Sequence, residues 1–152
     1  MEGLGMSIYF YGTKGPYGAF SNFAYYGFTL DALYWPTSEH FFQAAKFQGT
    51  EYAESIRKAK SPKIAAKMGR SRKHPLRPDW EDVKENVMRR ALMQKFTEHK
   101  DLRLLLLDTG DLEIVESSPI DYYWGCGQEG TGKNRLGLLL MEVRDILRKQ
   151  NP

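Results

Sequence analysis

Tyr34–Phe47, Y-W-P-T-S-E-H-F-F-Q-A-A-K-F, is the stretch on which the reading of this chain turns. Thr37 follows Trp35-Pro36 and has the character of a helix N-cap, with Ser38 and Glu39 in the first turn, where an acid suits the positive helix end. On the helix that follows, Glu39, Phe42, Gln43 and Lys46 fall at i, i+3, i+4 and i+7 and share one face. Phe41, Ala44, Ala45 and Phe47 fall largely on other sides and read as packing. A carboxylate, an amide, an amine and a ring on one face could flank a small polar substrate. The plainer reading is a half-exposed helix with Glu39 and Lys46 in solvent, and the stretch alone does not separate the two.

Upstream, Ser7 to Tyr11 alternates and reads as a short strand, and Gly12 to Gly18 is a glycine-rich loop. Phe20-Ser21-Asn22-Phe23 follows. Tyr25 to Tyr34 reads as a further strand, so a small antiparallel sheet is expected from these pieces. Residues 1–6 are expected to form a loose terminus.

Downstream, Gly49-Thr50 breaks the first helix and Thr50 caps a second that runs to Lys58. Ser61-Pro62 launches a short helix to Met68, with Gly69 as its terminator. Arg70 to Pro78 is a basic loop kept out of helix by Pro75 and Pro78. It is the best local candidate for an anion contact, through Arg70 above all. Asp79 caps the longest helix, Trp80 to about Glu98, whose apolar stripe is Val83, Val87, Met88, Ala91, Leu92 and Phe96. A helix over Asp101–Asp108 closes at Gly110. Leu112–Val115 is a strand candidate, and the last helix spans about Leu136 to Arg148. No repeat or linker interrupts the 152 residues, so one domain, 1–152, is expected.

The composition has one unusual feature. Nine Tyr, eight Phe and three Trp exceed what a core of this size needs, and aromatic rings also stack on bases and sugars. The net charge of +3 is too small for a strong duplex binder and suits an anionic metabolite or nucleotide. The single Cys126 excludes an intramolecular disulfide and a Cys-rich zinc site. His40, His74 and His99 have no ligand-like spacing, so neither metal nor cofactor is expected. The chain start lacks the flank and apolar core of a signal peptide, and no apolar run approaches the roughly 18 residues of a membrane span. A cytoplasmic protein with no membrane partner is the expectation. Oligomeric state is not legible.

Gly127 to Asn134, G-Q-E-G-T-G-K-N, nearly matches the nucleotide loop G-x-x-x-x-G-K-[ST]. Asn134 stands where a magnesium-binding hydroxyl is required, and D-Y-Y-W-G is no buried strand, so that reading fails. What survives is a glycine-rich loop with Lys133, Asn134 and Arg135 at a helix N-terminus, a place where anions bind. Among the carboxylates, Glu39, Asp121 and Glu129 stand out. Cleavage at an anomeric carbon wants negative charge near the developing cation and an acid for the leaving group. Glu39, beside aromatics, could supply either. Asp121 could bind ribose hydroxyls, and Lys46 could attack an opened sugar aldehyde.

These strings also resemble a known family. F-S-N-F (20–23), W-P-T-S-E-H-F-F-Q-A-A-K-F (35–47), A-A-K-M-G-R (65–70), L-R-P-D-W (76–80), V-M-R-R-A-L (87–92), Y-W-G (123–125) and G-K-N-R-L-G (132–137) resemble, in order and spacing, the NADAR family. Within it they look most like the bacterial N-glycosidases of riboflavin-biosynthesis intermediates. The resemblance implies a compact, mainly helical α+β domain that hydrolyses an N-glycosidic bond without a cofactor. The implied substrate is a phosphorylated ribosylaminopyrimidine, split to release ribose 5-phosphate. Other branches remove ADP-ribose from guanine in nucleic acid, and a non-catalytic ADP-ribose or NAD-binding module is the remaining alternative. Carried over by position, Glu39 is the main catalytic carboxylate and Lys46 its covalent or electrostatic partner, with Asp121 the next acid. Trp35, Trp80 and Trp124 are implied pocket aromatics, and Arg70, Asn134 and Arg135 phosphate or ribose contacts. Ser21, Asn22, Gln43, Tyr123, Gly125 and Lys133 complete the implied substrate-binding set. The chain departs from the family pattern at Cys126, where an acid is common.

Overall fold

The computed structural model describes residues 6–150. In chain order its elements are β1 (Ser7–Phe10), a 3-10 turn (Gly18–Phe20), β2 (Phe28–Leu30), β3 (Leu33–Trp35), α1 (Ser38–Ala45), α2 (Glu51–Arg57), α3 (Pro62–Arg70), α4 (Trp80–Glu98), α5 (Lys100–Asp108), β4 (Glu113–Glu116) and α6 (Arg135–Gln150). This is the expected mainly helical α+β class. Residues 1–5 of the expected loose terminus lie outside the described residues; Met6 is exposed and in no element. The elements form two compact units. One is Asn22–Glu98; the other holds the described residues up to Ser21 and from His99 onward.

In the Asn22–Glu98 unit, three helix starts obey the local cap chemistry. Thr37, Thr50 and Ser61 each accept a hydrogen bond from the backbone N–H three residues on. Thr37 is tied further. Its hydroxyl lies 2.8 Å from His40 Nδ1, while His40 Nε2 lies 3.0 Å from the Ala59 carbonyl. A neutral imidazole donating to Ala59 and accepting from Thr37 satisfies both contacts, and burial lowers the His40 pKa in the same sense. The Tyr25–Tyr34 strand expected from sequence is instead a hairpin. Asp31 and Ala32 take positive φ (55° and 66°) and fold β3 back on β2, antiparallel, with Phe28 opposite Trp35. Trp35 Nε1 closes it by donating to the Leu30 carbonyl at 2.9 Å. Helix α1 packs against α2, α3 and α4, over a core that includes Phe28, Phe47, Ile56, Met88, Leu92 and Phe96. Of the stripe expected on α4, Val87, Met88, Ala91, Leu92 and Phe96 are buried while Val83 is half-buried; Trp80 and the fully buried Lys95 join them.

In the other unit, β1 pairs with β4, parallel, with Ile8 opposite Ile114 and Phe10 opposite Glu116. This corrects the expectation that β1 joins the antiparallel pieces: the hairpin satisfies β2 and β3 between themselves. Helix α6 packs on β4 through a stripe of Leu136, Leu139, Leu140, Val143 and Leu147. Its buried Arg144 donates to Thr109 Oγ1 (2.9 Å) and to the Leu112 carbonyl (2.8 Å), fastening α6 to the segment between α5 and β4.

Candidate active site

The shared face of α1 is buried, not solvated. Glu39, Phe42, Gln43 and Lys46 are each at most 9% exposed. Glu39 and Lys46 are seven residues apart, about 10.5 Å along a helix axis, and Gln43 stands between them. Its Nε2 donates to Glu39 Oε2 at 2.7 Å. That bond fixes the amide and leaves Gln43 Oε1 as a buried acceptor with no partner among the described residues. Trp80 meets Phe42 edge-on with centroids 5.1 Å apart, and Lys46 Nζ lies 5.7 Å from the Phe42 centroid and 6.0 Å from that of Trp80. The amine therefore sits against two rings with the carboxylate and amide in line behind it.

The backbone under these side chains is clamped at both ends. The Asn22 carbonyl accepts the Glu39 N–H at 3.1 Å, and Asn22 Oδ1 accepts the Ser38 hydroxyl at 2.6 Å, so Asn22 caps α1 in space. At the other end the Arg77 N–H donates to the Lys46 carbonyl at 2.9 Å, and the Arg77 carbonyl accepts the Trp80 N–H. The Arg77 guanidinium adds a bond to the Ala45 carbonyl at 3.4 Å. The segment R-P-D-W thus delivers Trp80 and holds Lys46 by its main chain. Asp79 serves it with an Arg77 ion pair at 2.7 Å.

Lys46 is electrostatically unusual. Burial pushes its pKa from 10.5 down to about 8, with the Arg72 guanidinium next in effect; Glu39 pulls the other way, and Arg70 and Lys84 lower it further. An appreciable fraction is a neutral, nucleophilic amine near neutral pH. Nζ donates to the Gly69 carbonyl at 3.4 Å. Gly69 does not end α3, which continues through Arg70. It is needed because a Cβ there would overlap Gln43 Oε1. Gly69→Ala is expected to push Gln43 off Glu39, lowering kcat/KM at least about tenfold and stability by about 1–3 kcal/mol, the usual range for overpacking. Steady-state kinetics and a denaturant midpoint check both.

The other unit carries the remaining sequence-predicted residues. Asp121 Oδ1 accepts from the Tyr123 and Trp124 N–H groups (3.0 and 2.8 Å), a turn that presents two rings packed edge-on at 4.9 Å. Asn134 is buried and engaged with β4: Oδ1 accepts the Glu116 N–H and Nδ2 donates to the Ile114 carbonyl, both at 2.9 Å. The expected backbone anion cradle at the start of α6 is not there. The N–H groups of Lys133, Asn134, Arg135 and Leu136 donate to the carbonyls of Tyr122, Gly125, Tyr123 and Trp124. At these four residues only side chains remain to meet an anion, and Lys133 Nζ lies 5.5 Å from the Tyr123 ring centroid. Ser21 is buried, its N–H bonded to the Gly18 carbonyl.

Trp35 packs edge-on against Phe41 at 5.1 Å, away from the face that carries Glu39. Arg70 is exposed at the end of α3. The sequence reading missed Arg72, Arg77 and Glu116. Glu116 lies under the D-Y-Y-W-G turn, with Oε2 accepting the Ser118 N–H at 2.9 Å and a Cβ on Gly125 falling 2.8 Å from Oε1. Burial raises its pKa to about 7, the Ser118 bond opposes, and Asp121 adds to the rise.

The NADAR domain family matches residues 9–148. The chain belongs to the NADAR family. Over 140 residues it is 55% identical to N-glycosidase YbiA of Escherichia coli (strain K12), covering 92% of this chain and 88% of that one. The NMR structure of E. coli YbiA superimposes with a TM-score of 0.88 at 54% identity, covering 94% of this chain and 85% of that one. Riboflavin biosynthesis protein VVA0006 of Vibrio vulnificus (strain YJ016) is 37% identical over 145 residues, covering 95% of this chain and 40% of that protein. In enzyme class, this NADAR chain is a hydrolase acting on N-glycosyl bonds.

Proposed function

We propose that the enzyme hydrolyses the N-glycosidic bond of phosphorylated ribosylaminopyrimidine intermediates of riboflavin synthesis and releases ribose 5-phosphate, in the cytoplasm and as one NADAR-like domain over 1–152. The observation that carries this reading is the row Glu39–Gln43–Lys46, with a buried amine near pKa 8 against Phe42 and Trp80. It is supported by the name of the Vibrio relative and by a family match that runs through both units. Among the described residues no helix is long and apolar enough to cross a membrane.

Glu39, charged at rest, takes a proton from the Lys46 ammonium and passes it to the leaving nitrogen as the C1′–N bond breaks with its electron pair going to nitrogen. The lone pair of neutral Lys46 forms the new bond to C1′, and the proton lost from that amine returns to the Glu39 carboxylate. Ring opening gives an imine between Lys46 and C1′. Water adds there and expels the amine, leaving ribose 5-phosphate and the starting enzyme. Gln43 holds the Glu39 carboxyl in place for these proton transfers through its Nε2 bond. Asp121, through the oxygen its turn does not use, Arg70, and the side chains of Tyr123, Trp124, Lys133 and Arg135 are carried as substrate contacts.

A paired release assay tests the substrate. Purified protein is given the ribosylaminopyrimidine phosphate and, separately, an oligonucleotide with ADP-ribosylated guanine, and products are quantified by mass spectrometry. Preferential release of ribose 5-phosphate is expected. Preferential release of ADP-ribose would replace this reading with nucleic-acid repair, and saturable binding without either product would replace it with a binding module.

A further inference from the structure

The arginines of the Asn22–Glu98 unit differ in what they hold, and Arg89 donates to Asn86 Oδ1. Arg57, Arg77 and Arg90 each hold a carboxylate, on Glu54, Asp79 and Asp31. Among the described residues Arg70 and Arg72 have no carboxylate partner. Arg72 is nevertheless held in place: Nη1 donates to the carbonyls of Gly69 (3.0 Å) and Ser71 (3.1 Å). Carbonyls orient a guanidinium without neutralising it, and its remaining N–H groups keep the fork that matches an oxyanion. The Gly69 carbonyl also receives Lys46 Nζ, so two cations share one oxygen. The charges that act on the amine are Glu39 from α1, Arg70 and Arg72 from the end of α3 and the residues after it, and Lys84 from α4. Lys84 has Glu81 at 2.7 Å; Glu39 is oriented by the Gln43 amide and keeps its charge. The two guanidinium charges of Arg70 and Arg72 outnumber that one carboxylate, and Arg72 has the larger effect on the amine.

We propose that Arg72, with Arg70, forms the subsite for the anionic group of the substrate, a phosphate monoester or diphosphate, and that filling it increases the proton affinity of Lys46. The proposal rests on the reading above for the identity of the substrate. Its physics is linkage. An anion bound to Arg72 relieves the repulsion that disfavours the Lys46 ammonium. By reciprocity the anion binds more tightly when Lys46 is protonated. A substrate phosphate would then promote the cationic form of Lys46 on arrival, and proton transfer from Lys46 would have to precede attack on C1′. The subsite thus couples recognition of the phosphate to the timing of the amine.

Sulfate, whose charge is constant across the titration, is the probe. The Lys46 Cε resonance, assigned by its loss in Lys46→Met, is titrated with pH in sulfate and in chloride of matched ionic strength. In wild type, sulfate is expected to raise proton affinity about tenfold over chloride, a shift of about one pH unit. In Arg72→Gln the midpoint in chloride should itself rise, and the sulfate effect should fall below about twofold. Arg72→Lys should retain most of it, which guards against a folding defect in the first variant. Equal midpoints in sulfate and chloride for wild type, or an undiminished sulfate effect in Arg72→Gln, would overturn the proposal. The titration needs no turnover. A failed subsite with intact ribose 5-phosphate release, and an intact subsite without release, are separate outcomes.

Discussion

Glu39→Gln is expected to lower kcat by about 10² to 10⁴, the usual contribution of a positioned acid–base group, with little change in fold. The new amide keeps an oxygen to accept the Gln43 Nε2 bond seen in the wild type. The ties that hold the start of α1 are to the Thr37 side chain and the Asn22 carbonyl, neither of which involves the Glu39 carboxyl. What disappears is the proton for the leaving nitrogen. A second effect has a defined sign. Glu39 is the one group that raises the Lys46 pKa against burial, Arg72, Arg70 and Lys84. Removing its charge moves the Lys46 midpoint below about 8. Residual activity should therefore keep its alkaline plateau to lower pH than wild type. Kinetics across pH, with circular dichroism as the fold control, measure both. Activity within about threefold of wild type would take Glu39 out of the chemistry.

Lys95→Met is expected to stabilise the protein by about 2–4 kcal/mol near neutral pH. Lys95 is fully buried on α4, its amine 6.0 Å from the Tyr26 ring centroid and 5.6 Å from that of Phe96. Burial alone pushes its pKa from 10.5 to about 7. Between those values the unfolded chain binds the proton and the folded chain does not, so wild-type stability rises with pH across that window. Below about 7 both states are charged and the full penalty remains. A gap from 10.5 to about 7 is worth at most about 5 kcal/mol, and contact with the two rings, together with the other interactions of Lys95, returns part of it. Methionine keeps the length of the side chain without the charge. Thermal melts of both proteins at several pH values should show the variant ahead at neutral pH and the difference closing as pH rises toward 10.5. Lys46 contributes a similar slope to both proteins and cancels in that difference. A less stable variant would mean that the polar surroundings of Lys95 outweigh its desolvation.

Cap chemistry is local, which is why the starts of α1, α2 and α3 were legible from Thr37, Thr50 and Ser61-Pro62. The functional face was legible for a similar reason, since helical spacing alone aligns Glu39, Gln43 and Lys46. Its burial was not, because that depends on α3 and α4 covering it. The hairpin was missed because its turn is Asp31-Ala32, without the glycine that usually marks positive φ. The β1–β4 pairing joins strands separated by most of the chain, and no short-range pattern encodes it. Gly69 looked like a helix stop, yet it serves a close approach by Gln43. The start of α6 looked like an anion site because sequence cannot show that the D-Y-Y-W-G carbonyls fold back onto its N–H groups. Arg77 reads as a solvated loop residue, yet it is half-buried and bonded to Ala45; Arg72 is exposed as expected, and what the sequence does not encode is its bonds to Gly69 and Ser71.

The most direct test of Lys46 as the attacking amine is chemical trapping. Enzyme turning over the ribosylaminopyrimidine phosphate is quenched with borohydride, which reduces an imine to a stable secondary amine, and the digested protein is mapped by mass spectrometry. One reduced sugar-phosphate adduct, on the peptide that carries Lys46 and absent in Lys46→Met, is the predicted result. Active enzyme that yields no adduct, or an adduct on another lysine, would contradict it.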